Sequence, residues 1–422
     1  MKYRRISAGL LLFFSVLASL VGNFAPFAST LAGSLQLVAA VLLWPDVPLS
    51  LRWQGFCLAL LGLTGLFWFS GDISLLAAAS RNQAMIAMLA AVGILRLVAH
   101  PASNKPLPVG RRAVWQTLFG IHWLGAFINI SAMVIFGDRL VSENRSLSPL
   151  QGLVLTRGFA LAALWSPFFV AIGVALGNAP GAHYIPLLLW GLPLSQGLLL
   201  TFVAWQVHHH PEELDRFVGY PFNLQAILSP LVLTALVIVG HLLLASISII
   251  ALITFFAPIY TLLVNFKKKP VAILARYVSE DLPRMGSEVS LFVAAGILGG
   301  GIVSLVAQQE LVIPWGGQGA LLASGGLGII ILISSIGIHP VVGITMVGSV
   351  LASAGLSPDL LAMSFVMGWG LGVLINPISG IHLLLSGRYG FPVRQVWYLN
   401  AGYVFSAFLA CCAWLFLFQA FS

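Results

Sequence analysis

A small set of polar residues stands inside long apolar runs, and most of them flank prolines. Ser166 precedes Pro167 in Leu164-Trp165-Ser166-Pro167-Phe168. Ser334, Ser335 and His339 precede Pro340, Asn376 and Ser379 bracket Pro377, and Asn129 and Ser131 lie in the apolar segment Val114–Phe136. Proline removes a backbone donor, clashes with the turn before it and pushes its predecessor out of the helical region. A helix broken in this way leaves up to four N–H groups at the start of its second half without partners. Such an end carries a positive partial charge and attracts anions. Ser166 reads as an N-cap with Pro167 at the first helical position, and His339-Pro340 repeats the arrangement with histidine as the cap. His339 adds a donor and, when protonated, a charge. Arg157, in Leu155-Thr156-Arg157-Gly158-Phe159, is the strongly basic residue set well inside an apolar run. It either neutralises a solute's charge or snorkels to the headgroups. The expected substrate-binding set is therefore Asn129, Ser131, Arg157, Ser166, Ser334, Ser335, His339, Asn376 and Ser379. If these residues serve binding alone, Ser166→Ala and His339→Ala weaken solute affinity and leave the fold intact.

Other chemistries find little support. No span holds a central pair of carboxylates, since Asp72 and Glu288 stand at span edges. There is no Gly-x-x-x-x-Gly-Lys-Ser/Thr loop for nucleotide phosphates, no zincin pattern and no Gly-x-Ser-x-Gly elbow. His122, His241 and His382 each stand alone among apolar residues and read as packing residues. His208-His209-His210 reads as a solvated polar run rather than a metal site. Cys57, Cys411 and Cys412 form no metal or disulfide pattern. No catalytic residue, no metal site and no enzyme are expected. The expected cofactor set is empty, apart from a coupling Na+ or H+.

The elements that must position these groups follow from hydropathy. Apolar residues make up 59% of the 422 and charged ones 8%, with mean hydropathy +1.00. A soluble globular chain carries ~25% charged residues, so the bilayer is the solvent here. The net charge of +8 sits in short loops, as positive-inside signals do, and no nucleic acid is expected. Lys2, Arg4 and Arg5, then Lys105, Arg111 and Arg112, then Arg139 and Arg145, fall on one side if Val114–Phe136 is a re-entrant hairpin. The fold class expected is an all-α polytopic membrane protein of about 10–12 transmembrane helices, with two repeats containing hairpins and broken helices. It belongs in a cytoplasmic (inner) membrane as a multi-pass protein. Ala226–Phe266 is long enough for two helices turning near Gly240-His241, and Lys267–Gly286 reads as an interfacial helix. Residues 1–99 form N-terminal scaffold helices and 100–207 a first hairpin and broken-helix repeat. Residues 208–287 form further scaffold helices, and 288–422 a second repeat with a C-terminal helix.

The repeat is read from two similarities. Pro167 and Pro340 stand 173 positions apart, and Leu124-Gly125-Ala126-Phe127-Ile128 resembles Leu298-Gly299-Gly300-Gly301-Ile302. Hairpin, amphipathic segment, helix broken near a proline and duplication of that unit resemble the ion transporter superfamily. That group holds the divalent-anion/sodium symporters, the arsenite permeases and the large membrane subunits of TRAP carriers. The likeness spans roughly 99–386 and is one of layout. The symporters carry Ser-Asn-Thr triplets at their hairpin tips, where this chain has Asn129-Ile130-Ser131 and Gly299-Gly300-Gly301. The resemblance implies an elevator-type secondary carrier, often a homodimer, with its site between hairpin tips and broken helices. The function expected is gradient-driven transport of a small anionic solute across the membrane. A membrane subunit of a larger complex and a polytopic lipid- or polysaccharide-modifying enzyme stay open beside it.

Overall fold

The structure, a computed structural model, describes residues 2–68, 73–98, 106–144, 146–221, 225–308, 318–352 and 354–421. Asp72, Lys105 and Arg145 lie outside them. The described chain is helical, and its only strand-like pairing is one isolated bridge, Val109 with Val218. In order the helices are α1 (Lys2–Val21), α2 (Pro26–Leu43), α3 (Leu49–Trp68), α4 (Leu75–Ser80), α5 (Gln83–Val92), α6 (Arg111–Ile128) and α7 (Ile130–Asn144). There follow α8 (Pro149–Ala160), α9 (Val170–Asn178), α10 (Tyr184–His209), α11 (Pro211–Asp215), α12 (Gln225–Leu243), α13 (Ile249–Val264) and α14 (Pro270–Arg276). The last are α15 (Gly286–Gln308), α16 (Gly319–Ser335), α17 (Pro340–Leu351), α18 (Pro358–Ile375), α19 (Gly380–Tyr389) and α20 (Val393–Phe421). Eight helical stretches among the described residues are long and apolar enough to cross a membrane by length and composition. The protein is an all-α polytopic membrane protein.

Several helix starts follow local rules. Ser148 accepts from Gln151 N–H while the Gln151 side chain accepts from Ser148 N–H, a reciprocal cap with Pro149 as first residue of α8. Ser74 and Ser248 cap α4 and α13 in the simpler way. The turn expected near Gly240-His241 falls later, between Leu243 and Ile249, because Ser248 supplies the cap. Gly240 stays helical, and a Cβ there would stand 2.9 Å from the Phe256 ring.

The chain forms two compact units. The first comprises 1–98, 233–316 and 345–355. Its closest packing is α3 on α15, where backbone meets backbone. A Cβ on Gly62 would stand 2.4 Å from the Ile297 carbonyl oxygen, and one on Gly301 2.3 Å from that of Gly62. In lipid, where apolar contact with a neighbouring helix gains little over contact with acyl chains, such close approach is what joins helices. Polar ties complete this unit. Asn82 Nδ2 donates to Phe292 O at 2.8 Å, Gln36 Nε2 to Gln83 O at 2.9 Å and the Tyr277 hydroxyl to Ala90 O at 2.6 Å. Arg96 pairs with Asp281. The segment expected to be one interfacial helix is helical from Pro270 onward but changes its winding twice. After α14 come a π-turn, Tyr277–Asp281, and a 3₁₀ turn, Leu282–Met285, leading straight into α15. Leu298-Gly299-Gly300-Gly301 lies inside α15, an unbroken helix of 23 residues, so it is no counterpart of the hairpin near Leu124.

The second unit comprises 99–232, 317–344 and 356–422 and holds every break named above. It holds one helical hairpin whole, and of a second the first arm, the tip and the start of the second arm, α17, up to Ile344. The first reverses at Asn129, between α6 and α7, and brings Gly120 against Phe136, so that a Cβ on Gly120 would lie 2.9 Å from the ring. The second reverses over Ile336–His339, between α16 and α17, and brings Gly343 to the backbone of Ile330. The sequence suggested one spanning helix broken at Pro340. The chain instead doubles back there, because Gly337 takes a φ of 94° that a glycine adopts freely. Pro340 is the first residue of α17, as expected. Two broken helices complete the unit. One runs from α8 through a 3₁₀ turn, Leu161–Leu164, to a joint at Trp165–Phe169 and on into α9. The other runs from α18 through Asn376–Ser379 into α19.

Candidate functional site

Each joint exposes carbonyls and N–H groups that a helix would have paired, and buried backbone groups must find partners somewhere. At the first joint, the Ser166 hydroxyl donates to Ala126 O on the hairpin and accepts from Phe168 N–H at 3.3 Å. Asn129, at the hairpin tip, donates from Nδ2 to Phe168 O at 3.0 Å. The Tyr184 hydroxyl donates to Trp165 O at 3.1 Å. At the second joint, Asn376 donates from Nδ2 to Ile338 O at the hairpin tip, 2.9 Å, and accepts on Oδ1 from Ile378 N–H, 2.9 Å. Ser166 and Asn376 thus do the same two jobs. Each precedes a proline, accepts from the N–H two residues on and donates to a carbonyl of the adjacent hairpin. Pro167 therefore matches Pro377, not Pro340. The second joint also meets the tip of the first hairpin: a Cβ on Gly380 would stand 3.3 Å from Ile130 Cδ1, beside Asn129.

The sequence placed the start of the first half-helix at Pro167. The structure places it at Val170, with Phe169 extended at φ −83° and ψ 135°. The delay arises because Ser166 spends its hydroxyl on Phe168 N–H and on the hairpin. Asn129 holds φ 52° and ψ −139°, a region natural to glycine. Such strain costs ~1–3 kcal/mol and persists only where neighbours enforce it, here through the bond to Phe168.

His339 caps α17, its Nδ1 accepting from Val341 N–H at 3.2 Å, and its ring meets Trp369 edge-on at 5.1 Å. A proton on Nδ1 would break that cap. His339 is therefore a neutral capping residue rather than a source of charge. Ser334 and Ser335 bond back to carbonyls of their own helix, Ile330 O and Leu332 O, both at 2.7 Å. Ser131 is half-buried in the first turn of α7. Arg157 is tied to α20 rather than to a joint. Its Nε donates to Asn400 Oδ1 at 3.0 Å and its Nη2 to Leu399 O at 2.9 Å.

Two groups at the second joint have no protein partner. Ser379 Oγ and His382 Nε2 are buried, at residues 2% and 0% exposed, and neither makes a hydrogen bond among the described residues. Ser379 is the N-cap residue of α19 and His382 lies three residues on, in its first turn. Asn376 O, an acceptor only, takes the proton of His382 Nδ1 at 2.6 Å. In the neutral ring Nε2 therefore carries a free lone pair. The three N–H groups of Gly380–His382 have no carbonyl within their helix to bond. In sequence, His382 reads as a packing residue. Its spacing of three from Ser379 and six from Asn376, just past a broken helix, was the available signal. His122 does behave as a packing residue. Its Nδ1 donates to Gly158 O at 2.8 Å, and its Nε2 accepts from Trp165 Nε1 at 3.0 Å and from Gln196 Nε2 at 2.9 Å.

No family model matches this chain, and no curated protein matches it in sequence. Among solved structures it resembles the YdaH transporter of Alcanivorax borkumensis. The identity is 14%, over 99% of this chain and 87% of that one, with a TM-score of 0.45. Nothing about this chain's function follows from that overlap.

Proposed function

We propose that this protein is a secondary transporter of a small anionic solute, driven by an ion gradient without ATP. The observation that carries this is the unpartnered pair Ser379 Oγ and His382 Nε2 at the start of α19. Polar groups inside a membrane domain are costly and are retained where they serve a solute or a proton. The N–H groups of α19 and the Ser379 hydroxyl supply donors to an anion. His382 can accept a proton on Nε2 without losing a bond to the protein, which His339 cannot do on Nδ1. Proton and anion then load together, so H+ is the coupling ion. The parallel between the Ser166 and Asn376 joints favours an internal duplication, each copy pairing a hairpin with a broken helix. That layout is the one the ion transporter superfamily implies.

Ser379→Ala removes a hydroxyl that bonds to nothing among the described residues, so stability holds or rises. A hydrogen bond to a charged group is worth ~1.5–3 kcal/mol, so apparent solute affinity falls about tenfold or more. His382→Asn keeps a donor near the Nδ1 position and discards Nε2. Purified protein in liposomes, given short-chain carboxylates, phosphate or sulfate, shows uptake that rises as the outer medium is acidified. In the His382→Asn protein that dependence is flat. Uptake with an unchanged pH profile in His382→Asn removes the proton role. Unchanged affinity in Ser379→Ala moves the site elsewhere.

A further inference from the structure

Arg157 is 5% exposed, and no carboxylate among the described residues pairs with it. Its guanidinium lies between two rings, 4.4 Å from the centroid of Phe202 and 4.1 Å from that of Tyr403. Nε and Nη2 are spent on Asn400 and Leu399, while Nη1 has no acceptor among the described residues. Arg157 lines a cavity of about 860 Å³ between α8, α10 and α20, and no residue of either joint takes part in its wall. The wall is otherwise mainly apolar and aromatic, with Leu150, Leu153, Trp205 and Trp397 along it. Tryptophan and tyrosine in such numbers mark the level of lipid headgroups. The one carboxylate in the wall, Glu213, stands at the exposed end beside His210, 3.8 Å away, where solvent screens it.

A buried cation without a counter-ion, at the end of an apolar trough, fits one kind of ligand. We propose that this cavity binds an amphipathic anion, its phosphate or carboxylate head on Arg157 and its acyl chain along Leu150, Leu153, Trp205 and Trp397. The head completes the charge balance that the protein leaves open, through the strong N–H···O⁻ bond a guanidinium makes. The chain covers apolar surface that water would otherwise meet. The site is separate from the joints and does not depend on the transport reading.

The test uses the full chain in a mild neutral detergent and native mass spectrometry. Its probes are phosphatidylglycerol and phosphatidylcholine with identical chains, oleate, and inorganic phosphate. Phosphatidylglycerol or oleate, or both, binds at least about tenfold more tightly than phosphatidylcholine. Binding of only one of the two identifies the source of the head. Arg157→Gln abolishes the preference, and Arg157→Lys keeps part of it. Because a buried arginine can matter for folding, Gly402→Leu serves as a second variant. A Cβ on Gly402, a residue of the same wall, meets nothing within 4 Å, so leucine there narrows the trough and leaves the arginine in place. It lowers anionic-lipid binding and leaves the melting temperature of the lipid-free protein unchanged or raised, since leucine favours a helix over glycine. Equal binding of the two phospholipids overturns the proposal. A preference that survives Gly402→Leu overturns it too, as does inorganic phosphate displacing phosphatidylglycerol while oleate stays inert.

Discussion

Asn376→Ala lowers the melting temperature and, on the transport function proposed above, collapses uptake with it, whereas Asn376→Ser retains much of both. Alanine leaves Ile338 O and Ile378 N–H without the partners that the amide gives them. Each orphaned group costs ~1–3 kcal/mol, and both residues are half-buried, so the loss falls near 2–4 kcal/mol. Serine is the informative replacement, because Ser166 performs both jobs with a hydroxyl at the matching position. Asn376→Asp keeps the acceptor, loses the donor and brings in a charge, so it does at least as much harm as alanine. Differential scanning fluorimetry on detergent-solubilised protein ranks the three. A serine variant no better than alanine would falsify the equivalence of the joints. By the same logic Ser166→Ala costs stability, contrary to what the sequence alone suggests, since its hydroxyl is fully engaged.

Gly301→Val leaves little protein recoverable as a single species on size-exclusion chromatography. The added Cβ would stand 2.3 Å from Gly62 O and 2.9 Å from Gly62 Cα. A flexible side chain could move aside, but backbone of a packed helix cannot. Overpacking ordinarily costs ~1–3 kcal/mol, and separating two helices along a shared glycine seam costs the upper end or more. Gly62→Val acts alike, its Cβ being 2.4 Å from Ile297 O. Gly197→Ala and Gly325→Ala are the controls. A Cβ at either position meets nothing within 4 Å, and alanine favours a helix over glycine by up to ~1 kcal/mol. If Gly301→Val extracts and melts like Gly325→Ala, the seam is not what joins α3 to α15.

Much of this fold is written in local features that survive without tertiary context. Apolar runs of spanning length give the helices, and Ser-Pro at 166–167 and Asn-Pro at 376–377 mark the two broken helices. What escaped depends on who meets whom. The reversal at Ile336–His339 turns on Gly337 alone. A glycine inside an apolar run reads equally well as a helix position, so one broken helix and a hairpin look alike in sequence. The match of Pro167 with Pro340 rests on spacing and on similar apolar neighbours, which membrane helices share by composition. The better match, with Pro377, is visible only once Ser166 and Asn376 are seen to hold carbonyls of different hairpins. His382 escaped because a histidine's role rests on which ring nitrogen is already engaged, and that is decided by the fold of the joint.

The seam between α3 and α15 also sets an order of assembly. More than two hundred residues separate Trp68 from Gly286, and the intervening chain includes 99–232, which belongs to the other unit. While the ribosome works through them, the bare strip at Gly62 and Gly65 has no native partner. The first unit therefore stays an open set of spans until a late helix arrives to close it. A chain stalled before Gly286 would offer that strip to whatever helix passes, another copy of itself included.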